Sequence, residues 1–596
     1  MFDYIALIII FLMALGCASI FDCKIGKTMP LVVSIIICVE LICGFLNHLE
    51  WGLYILIAFL IVCIGLIVKD FRKISSRINF NVIFVLIVSL ILLKIHHANT
   101  IAHTWDELAQ WAVTVRYSYF TNWFAAHSGT NSIYPDYPPA TAMFHYFWMK
   151  IGNNWQDNRL YISMGIMTIS YLVPVLDEIK LKRKFRFFIL TIDFVLVFII
   201  LAIFPKAYSR LTVDCIMGII FAWLLYNVVL EENRYLKVAS LTVGSFVLIM
   251  VKKSAIIFVI FVLIMWATNI IIEKNKQWLY LLGTSLIAFI ERGLWSIYVK
   301  NQGIATTFGI SMKYREPHDW QKTAFANYFK ALFDYSAVGN TSQTVFWINK
   351  IKVPTIIVII ALVLCGITIV NKNRRYKVYN IILFFELLLY VFLVSYLYLR
   401  SFGEGEVAIL SSMSRYLGTF LLGNILFFIY IFIHDNCFKD IKQLLPFILL
   451  CFVPNLDPKY LFTNSLIPRY QQETQLVAER YSKYEKKALF IQTNVDEGSR
   501  IHVFNGSIAD MNYILTPMKV TSPLWQSGEF GWFESYSHRY DYVFFDNVYG
   551  TVETDSFSEQ YVHLFYPDSP ILDYGLYKVM YVDEHPKLYY LCKFDE

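Results

Sequence analysis

Residues 51–68 read "WGLYILIAFLIVCIGLIV", a run of eighteen residues without a charged side chain. As an α-helix, this run is about 27 Å long, close to the roughly 30 Å thickness of a bilayer's hydrocarbon core. Similar runs precede it, "YIALIIIFLMALGCASI" at 4–20 and "MPLVVSIIICVELICGF" at 29–45. Of the 596 residues, 57% are hydrophobic and only 16% are charged, which is too little polar surface for a soluble chain of this size. The sequence therefore predicts a polytopic α-helical membrane protein.

About fourteen membrane spans are predicted from the lengths of the apolar runs. They lie near 3–20, 29–47, 51–68, 79–95, 160–177, 186–204, 211–230, 236–251, 254–273, 278–298, 353–371, 378–399, 416–433 and 441–454. The connecting loops alternate in charge, and one set is strongly basic, with "KDFRKISSR" and "KLKRKFR" as examples. Because basic loops stay in the cytoplasm, the other set, which includes the window 96–157 and the C-terminal tail, is predicted to lie outside.

The C-terminal tail, 455–596, differs in composition from the rest of the chain. It carries 12 Lys and Arg residues against 20 Asp and Glu, a net charge of −8, whereas the whole chain is +6. Strand-like runs occur at "KALFIQT", "RIHVFNG", "YDYVFFDN" and the pair "LYKVMYVD" and "LYYLCKF", and "SIADMNYILT" is typical of a short helix. The tail is therefore predicted to be an extracytoplasmic α/β domain.

The window 96–157 contains the most unusual polar residues of the chain. "TWDE" at 104–107 begins a predicted helix whose residues Leu108, Trp111, Ala112, Val115 and Tyr119 share one face, as in a helix that lies on a membrane surface. Its acidic pair stands at the helix N-terminus, where backbone N–H groups favour negative charge. "YPDYPP" at 134–139 then predicts an extended turn that leads stiffly into the next helix.

These features together resemble the GT-C class of membrane glycosyltransferases. The branch with the protein O-mannosyltransferases and the lipid A aminoarabinose transferases (glycosyltransferase 39-like) has an acidic pair, an amphipathic helix and a Pro-Pro in its first large external loop. It often has an Asp at the outer start of a helix, a Lys in a short external turn and an Arg-Tyr at the start of a late helix. The corresponding residues here are Asp106-Glu107, the helix through Phe120, Pro138-Pro139, Asp214, Lys252 and Lys253, and Arg415-Tyr416.

The resemblance implies three domains. Residues 1–78 are extra N-terminal transmembrane helices that the family lacks before its acidic loop. Residues 79–454 form a GT-C-like transmembrane catalytic domain with the external loop 96–157. Residues 455–596 form the extracytoplasmic α/β domain, which is not a general feature of the family.

The resemblance also implies an activity and a site. The enzyme would transfer a sugar from a polyprenyl phosphate to a glycan, lipid or protein acceptor on the outer face of the membrane, without a nucleic-acid partner. Asp106 would act as general base, with Glu107 and Asp214 as further catalytic carboxylates. Lys252, Lys253, Arg415, Tyr416 and Tyr137 would bind substrate, the cations stabilising the charge of the leaving phosphate. No metal ligands are predicted, and metal dependence stays open.

Each of these residues also has a structural interpretation. Asp106 could cap a helix, Glu107 could order the loop, and Asp214 could pair with Arg210 four residues earlier. The two lysines could anchor a turn at the lipid headgroups. Glu291 and Arg292, inside a predicted span, are expected to satisfy each other. The competing functions are a polysaccharide polymerase or ligase and a transporter or flippase.

Overall fold

The structure is a computed structural model of the chain. It describes residues 1–127, 130–178, 200, 203–204, 207–307, 318–333, 374–402, 404–408, 410, 412–434, 466–496, 498–504, 506, 508–515, 533–547 and 550–595.

Residues 1–434 are almost entirely helical where they are described. The helices are α1 Phe2–Phe21, α2 Ile25–Phe45, α3 Leu49–Lys69, α4 Ile74–Arg77, α5 Phe80–His96, α6 Ala112–Thr121, α7 Ala140–Gly152, α8 Asp157–Leu172, α9 Pro174–Glu178, α10 Val213–Val229, α11 Arg234–Ile249, α12 Ala255–Glu273, α13 Trp278–Asn301, α14 Asp319–Phe333, α15 Arg374–Arg400, α16 Glu404–Ala408 and α17 Met413–His434.

Several of these helices are long and apolar enough to cross a membrane. In the part of the chain that the structure describes, six meet this condition: Phe2–Phe21, Ile25–Phe45, Leu49–Lys69, Asp157–Glu178, Ala255–Glu273 and Arg375–Arg400. A seventh is added if Phe71–Arg77 and Phe80–His96, which meet at a 70° bend, form one span. The polytopic helical fold is therefore confirmed, whereas the predicted count of fourteen spans is not.

The difference in the count has two sources. Helices α10, α11, α13 and the apolar part of α17 form at predicted positions but are too short or too polar to qualify as full spans. The predicted spans 186–204, 353–371 and 441–454 lie wholly or almost wholly outside the described residues.

A buried carboxylate fastens the N-terminal helix to three others. Asp3 of α1 accepts hydrogen bonds from Lys94 Nζ on α5 (2.6 Å), Trp148 Nε1 on α7 (2.9 Å) and Arg159 Nε on α8 (2.9 Å). A buried charge is tolerated only when it is paired and hydrogen-bonded, and Asp3 has two cations and one neutral donor as partners. Helix α1 is thus built into the bundle through this contact.

Helices α10 and α17 pack at unusually close range. A Cβ atom on Gly218 of α10 would lie 2.6 Å from the carbonyl oxygen of Thr419 on α17, and one on Gly423 would lie 3.0 Å from the carbonyl oxygen of Gly218. Glycine at both positions lets the two backbones approach, as is common between membrane helices. This contact holds the starts of α10 and α17 side by side, which matters for the site below.

The C-terminal part combines helices with one small sheet. Its elements are α18 Leu466–Asn494, β1 Ile501–Phe504, α19 Ile508–Leu515, α20 Phe533–Tyr536, β2 Tyr542–Phe545, α21 Asp555–Tyr561, β3 Gly575–Val582 and β4 His585–Lys593. The sheet order is β1-β2-β3-β4, with β1 and β2 parallel and the other pairs antiparallel. Four predicted strands and the predicted short helix form at these positions.

One strand prediction in this part is wrong. "KALFIQT" belongs to the end of the long helix α18. Tyr484, Lys487, Ala488 and Ile491 are the buried residues there, spaced three and four residues apart, while Leu489 is exposed. That spacing is helical, so the burial pattern over a longer window overrides the strand-like composition of the seven residues.

Candidate active site

The polar window folds differently from the predicted surface helix. Residues Glu107–Trp111 form a single π-helical turn, and α6 continues from it. Most of the predicted apolar face is buried, and only Trp111 on it is partly exposed. The other faces of the helix are buried as well, as shown by Val113, Thr114, Arg116 and Ser118. The segment packs against α7 and against α19 of the C-terminal part. It is therefore an internal element of the protein, and the prediction of a helix lying on the membrane surface is wrong.

Four charged side chains from distant parts of the sequence meet next to this turn. Lys252 Nζ lies 2.7 Å from Asp214 Oδ1, Asp214 Oδ2 lies 3.2 Å from Arg415 Nε, and Arg415 Nη1 donates to Asp106 Oδ2 at 2.8 Å. The row Lys252–Asp214–Arg415–Asp106 alternates in sign from its buried end to its open end. The Asp214 side chain is 2% exposed, that of Arg415 is 23% exposed and that of Asp106 is 38% exposed.

Secondary structure positions each member of the row. Asp214 stands in the first turn of α10, where the helix dipole favours its negative charge. Arg415 lies at the start of α17, which the glycine contact places beside α10. Lys252 follows α11 in a short turn that accepts a hydrogen bond at Met250 O from Ala140 N, the first residue after the Pro-Pro pair. The residues thus stand at the helix ends that the sequence predicts for them.

The geometry separates some of the alternative interpretations. The Asp106 carboxylate makes no capping hydrogen bond to the turn that begins at Glu107 and is directed to Arg415 instead. The prediction that Asp214 could pair with Arg210 on one helix face is wrong, because α10 begins at Val213 and leaves Arg210 outside the helix. Asp214 takes Lys252 and Arg415 as its partners.

Glu107, by contrast, is fully buried and serves the backbone. Its carboxylate accepts hydrogen bonds from the N–H groups of His103 (3.2 Å), Thr104 (3.1 Å) and Leu211 (3.2 Å). Three donors nearly saturate a carboxylate, so little capacity is left for a substrate. Of the two interpretations of Glu107, the geometry favours loop ordering: the residue joins the "TWDE" segment to the loop before α10.

Lys253 belongs to a second, closed cluster. Its ammonium pairs with the carboxylate of Asp136 and donates to the Thr307 carbonyl. Asp136 also accepts from Thr307 N (2.7 Å) and Thr307 Oγ1 (2.6 Å), and its side chain is 1% exposed. Burial lowers the pKa of Lys253, and Asp136 opposes this shift. Asp136 was missed in the sequence because an Asp between prolines is typical of a turn; its place in the polar window was the available signal.

Two predicted aromatic residues line the clusters. Lys252 Nζ lies 4.7 Å from the centre of the Tyr416 ring, and Lys253 Nζ lies 5.0 Å from that of Tyr137. Both distances are within range of a cation–π attraction. Burial raises the pKa of Tyr137 well above its usual range, so its hydroxyl stays neutral. Trp111 packs edge-on against Tyr137 at 5.7 Å, which gives the clusters an aromatic wall.

Glu291 and Arg292 do not form the expected pair. The Glu291 carboxylate is buried, and neither of its oxygens has a hydrogen-bond partner within the described residues. Consecutive residues of α13 project about 100° apart around the helix, which keeps the two charged groups on different faces. Electrostatic attraction between them remains, but the prediction of a self-satisfied pair is wrong.

We call the row Lys252–Asp214–Arg415–Asp106 the open row. It has the functional groups needed for a displacement at a carbon that carries a phosphate. Arg415 and Lys252 are cations that could bind a phosphate, with Arg415 able to do so through two parallel hydrogen bonds. Asp106 is a partly exposed carboxylate that could take a proton from a hydroxyl group. Within the described residues, no cluster of His, Cys, Asp and Glu has the arrangement of a metal site.

The C-terminal part lies directly beside this site. The guanidinium of Arg116 on α6 lies 4.6 Å from the ring centre of Tyr513 on α19 and 3.8 Å from Asp157 of α8. The two regions predicted to lie outside are therefore in contact, and α19 packs on the π-turn next to Asp106.

Comparisons with protein-family models, with curated proteins and with solved structures found no match for this chain. The fold itself defines a class, an α-helical membrane protein with a small C-terminal sheet.

Proposed function

We propose that this protein is a multi-pass membrane glycosyltransferase that moves a sugar from a polyprenyl phosphate to a glycan, lipid or protein acceptor. The reaction would take place on the outer face of the cell membrane, with the C-terminal part on the same side. The observation that carries the proposal is the row Lys252–Asp214–Arg415–Asp106, which brings two cations and an open carboxylate together at one set of helix ends.

The proposed reaction is a single inverting displacement. The acceptor oxygen forms a bond to the anomeric carbon as the bond from that carbon to the phosphate oxygen breaks. The acceptor proton passes to the Asp106 carboxylate, and the electron pair of the broken bond stays on the polyprenyl phosphate. A single displacement needs no glycosyl-enzyme intermediate, unlike the route of retaining glycosidases.

The ion pairs of the row suggest how donor binding prepares the site. A donor phosphate would compete with Asp106 for Arg415, because a dianionic or diester phosphate fits the guanidinium as well as a carboxylate does. The Asp106 carboxylate would then be free to accept a hydrogen bond from the acceptor hydroxyl. Asp214, held by Lys252 and buried, would keep Arg415 in place during the exchange.

Surface glycans from a deletion strain test the proposal. We expect mass spectrometry to show one sugar missing, restored by the wild-type chain and not by Asp106→Asn. Asp319→Asn is the matched control, because that carboxylate is 98% exposed and lies far from the row in sequence. Unchanged glycans in the deletion strain, or full restoration by Asp106→Asn, would contradict the proposal.

The same experiment separates the alternatives. If the protein were a polymerase or ligase, its deletion would leave every sugar present but would give a shorter glycan or one detached from its carrier. If the protein were a transporter or flippase, its deletion would leave the finished glycan on the inner side of the membrane.

A further inference from the structure

A cavity of about 330 Å³ lies at the far end of the helices that carry the open row. It is lined by the ends of α10 and α12, by the start of α11, and by residues of α15 and α17 that include Tyr376 and His434. Asp214 and Val229 mark the two ends of α10, about 22 Å apart along the helix at 1.5 Å per residue. The loops around the cavity, "ENRYLK" at 232–237, "EKNK" at 273–276 and "NKNRRYK" at 371–377, also belong to the basic set, so the positive-inside rule predicts that the cavity opens to the cytoplasm.

The central residue of this cavity is a buried lysine. Lys237, in the first turn of α11, is 5% exposed, and no hydrogen bond or ion pair of its ammonium occurs in the part of the chain that the structure describes. Taking an ammonium out of water costs several kcal/mol unless an opposite charge compensates it. Lys237 is therefore a buried ammonium on the wall of a cavity, without a direct ion pair among the described residues.

Two of the three carboxylates that line the cavity are paired with cations, and the third, Glu232, is exposed to solvent. Glu273 pairs with Arg375 at 3.1 Å, and Glu231 pairs with Lys27 at 3.1 Å. Both attract Lys237 only from beyond ion-pair distance. Arg234, at the mouth of the cavity, stacks on Tyr280 with 5.2 Å between its guanidinium and the ring centre. Outside these two pairs, Lys237 and Arg234 carry two positive charges against the one negative charge of Glu232, so a net positive charge faces a ligand.

We propose that this cavity binds a phosphate anion, carried either by the headgroup of an anionic phospholipid or by a soluble phosphate. Its volume is at the small end of the range for ligand pockets, which starts at about 300 Å³. Basic pockets between helix ends on the cytoplasmic side are typical sites for anionic headgroups. The start of α11 adds the positive end of a helix dipole. Lys237 and Arg234 bind the anion directly.

Thermal unfolding of the full-length protein in maltoside detergent tests the site. Three additives are titrated: dihexanoyl phosphatidylglycerol, inorganic phosphate, and dihexanoylglycerol as the uncharged control. A ligand that binds only the folded state raises Tm with its concentration, so the titration gives an affinity. We expect phosphatidylglycerol to raise Tm and dihexanoylglycerol to leave it unchanged. Stabilisation by phosphatidylglycerol alone assigns a lipid headgroup, and stabilisation by inorganic phosphate as well assigns a soluble phosphate.

Variants place the effect at this cavity. Lys237→Met should weaken the binding at least about tenfold, the loss of one charge-assisted hydrogen bond, while Lys237→Arg should retain it. Lys69→Met, an exposed lysine at the end of α3, is the control for net charge.

If Lys237→Met does not fold, Arg234→Gln at the exposed mouth should weaken the same response. The proposal is overturned if neither anion raises Tm, or if the rise persists unchanged in the folded Lys237→Met or Arg234→Gln protein. It stands independently of the proposed glycosyl transfer, because the readout involves no turnover.

Discussion

Two neighbouring lysines in one short turn have opposite surroundings. Lys252 enters a row of charges that ends at Asp106, whose side chain is 38% exposed. Lys253 enters a cluster that ends at Asp136, whose side chain is 1% exposed and which Thr307 also engages with two donors. Nothing in the sequence distinguishes the two lysines, whereas in the structure they contact different partners and have different functions.

The contrast shows how a charged cluster that stabilises the fold can be told from one that is available to a substrate. A carboxylate with a cation and two further donors has little capacity left, so the Asp136 cluster fastens the turn to the loop after α13. The open row leaves unsaturated oxygens and a guanidinium near solvent, where a substrate can replace an internal partner. We therefore infer that the donor phosphate binds at the open row, where Arg415 contacts it and Lys252, through Asp214, holds Arg415 in place, whereas Lys253 stabilises the fold.

The largest effect is expected at the open end of the row. Asp106→Asn should lower the rate of transfer by about 10²–10⁴-fold, the range for loss of a general base, which corresponds to roughly 3–5 kcal/mol. The shape of the side chain is kept, so expression and the unfolding temperature should match the wild type. Sugar transfer into surface glycans, followed over time in complemented cells, gives the rate. Turnover within a factor of two of the wild type would remove Asp106 from the mechanism.

The closed cluster should respond in stability. Lys253→Ala leaves the buried Asp136 carboxylate without its cation, and breaking a buried pair costs about 3 kcal/mol or more. We expect a clear fall in Tm in detergent, while Lys322→Ala, which removes an exposed pair with Asp319, should give no measurable change. If Lys253→Ala unfolded at the wild-type temperature, the distinction between a closed and an open cluster would fail.

A buried histidine in the C-terminal part allows the cost of burying a charge to be tested by pH. His502 is buried beside Phe533 and Tyr540, and burial lowers its pKa from 6.5 to about 4. The folded state thus keeps the ring neutral while the unfolded state takes up a proton below pH 6.5. Stability is therefore full above that pH and should fall as the pH drops from 6.5 towards 4.

The corresponding measurement is a denaturation series between pH 7.5 and 4.5 with His502→Phe beside the wild type. The wild-type curve should lose up to about 3 kcal/mol that the variant does not lose, from 1.36 kcal/mol per pKa unit. Parallel curves for the two proteins would show that His502 does not titrate as its burial requires.

Cysteine labelling tests whether the open row and the Asp136 cluster lie on the outer side of the membrane. The cysteine substitutions themselves should have little effect on function. Single cysteines at Asn154 in the window and at Ser556 in the C-terminal part should react with an impermeant thiol reagent in intact cells. A cysteine at Ser75 in the basic loop after α3 should react only after the cells are opened. All three positions are exposed in the structure. Reaction of Asn154→Cys without Ser556→Cys would separate two regions that are in contact in the fold.

Much of the fold could be predicted from local patterns. Apolar run length gave the helices, and the order of short motifs placed Asp106, Asp214, Lys252 and Arg415 at helix ends. Their pairing could not be predicted, because Asp106 and Arg415 are 309 residues apart. They meet because α17 packs on α10 and because Glu107 joins the "TWDE" segment to the loop before α10. The close approach at Gly218 that allows this packing has no signature in one sequence.

The errors arose where tertiary contacts overrode a local pattern. A regular helix would place the apolar face of 108–119 on one side, but the π-turn at 107–111 inserts an extra residue and shifts the register of α6. Burial by α7 and α19 then covers the remaining faces. Asp106 and Glu107 are adjacent in sequence, yet one is directed to Arg415 and the other to three backbone donors, a difference that no composition or spacing encodes.

The most direct test of the central claim compares how tightly a polyprenyl phosphate binds the purified wild type, Lys252→Ala and Lys253→Ala in detergent. The lipid phosphate is the leaving group of the proposed reaction, so no knowledge of the sugar is needed. We expect Lys252→Ala to weaken binding by about 10–100-fold, because Asp214 loses its charge-assisted hydrogen bond and no longer holds Arg415 in place, and Lys252→Arg to recover part of it. Folded Lys253→Ala should bind nearly as the wild type does. Equal losses in both alanine variants, or no loss in Lys252→Ala, would contradict the assignment of the open row to the donor phosphate.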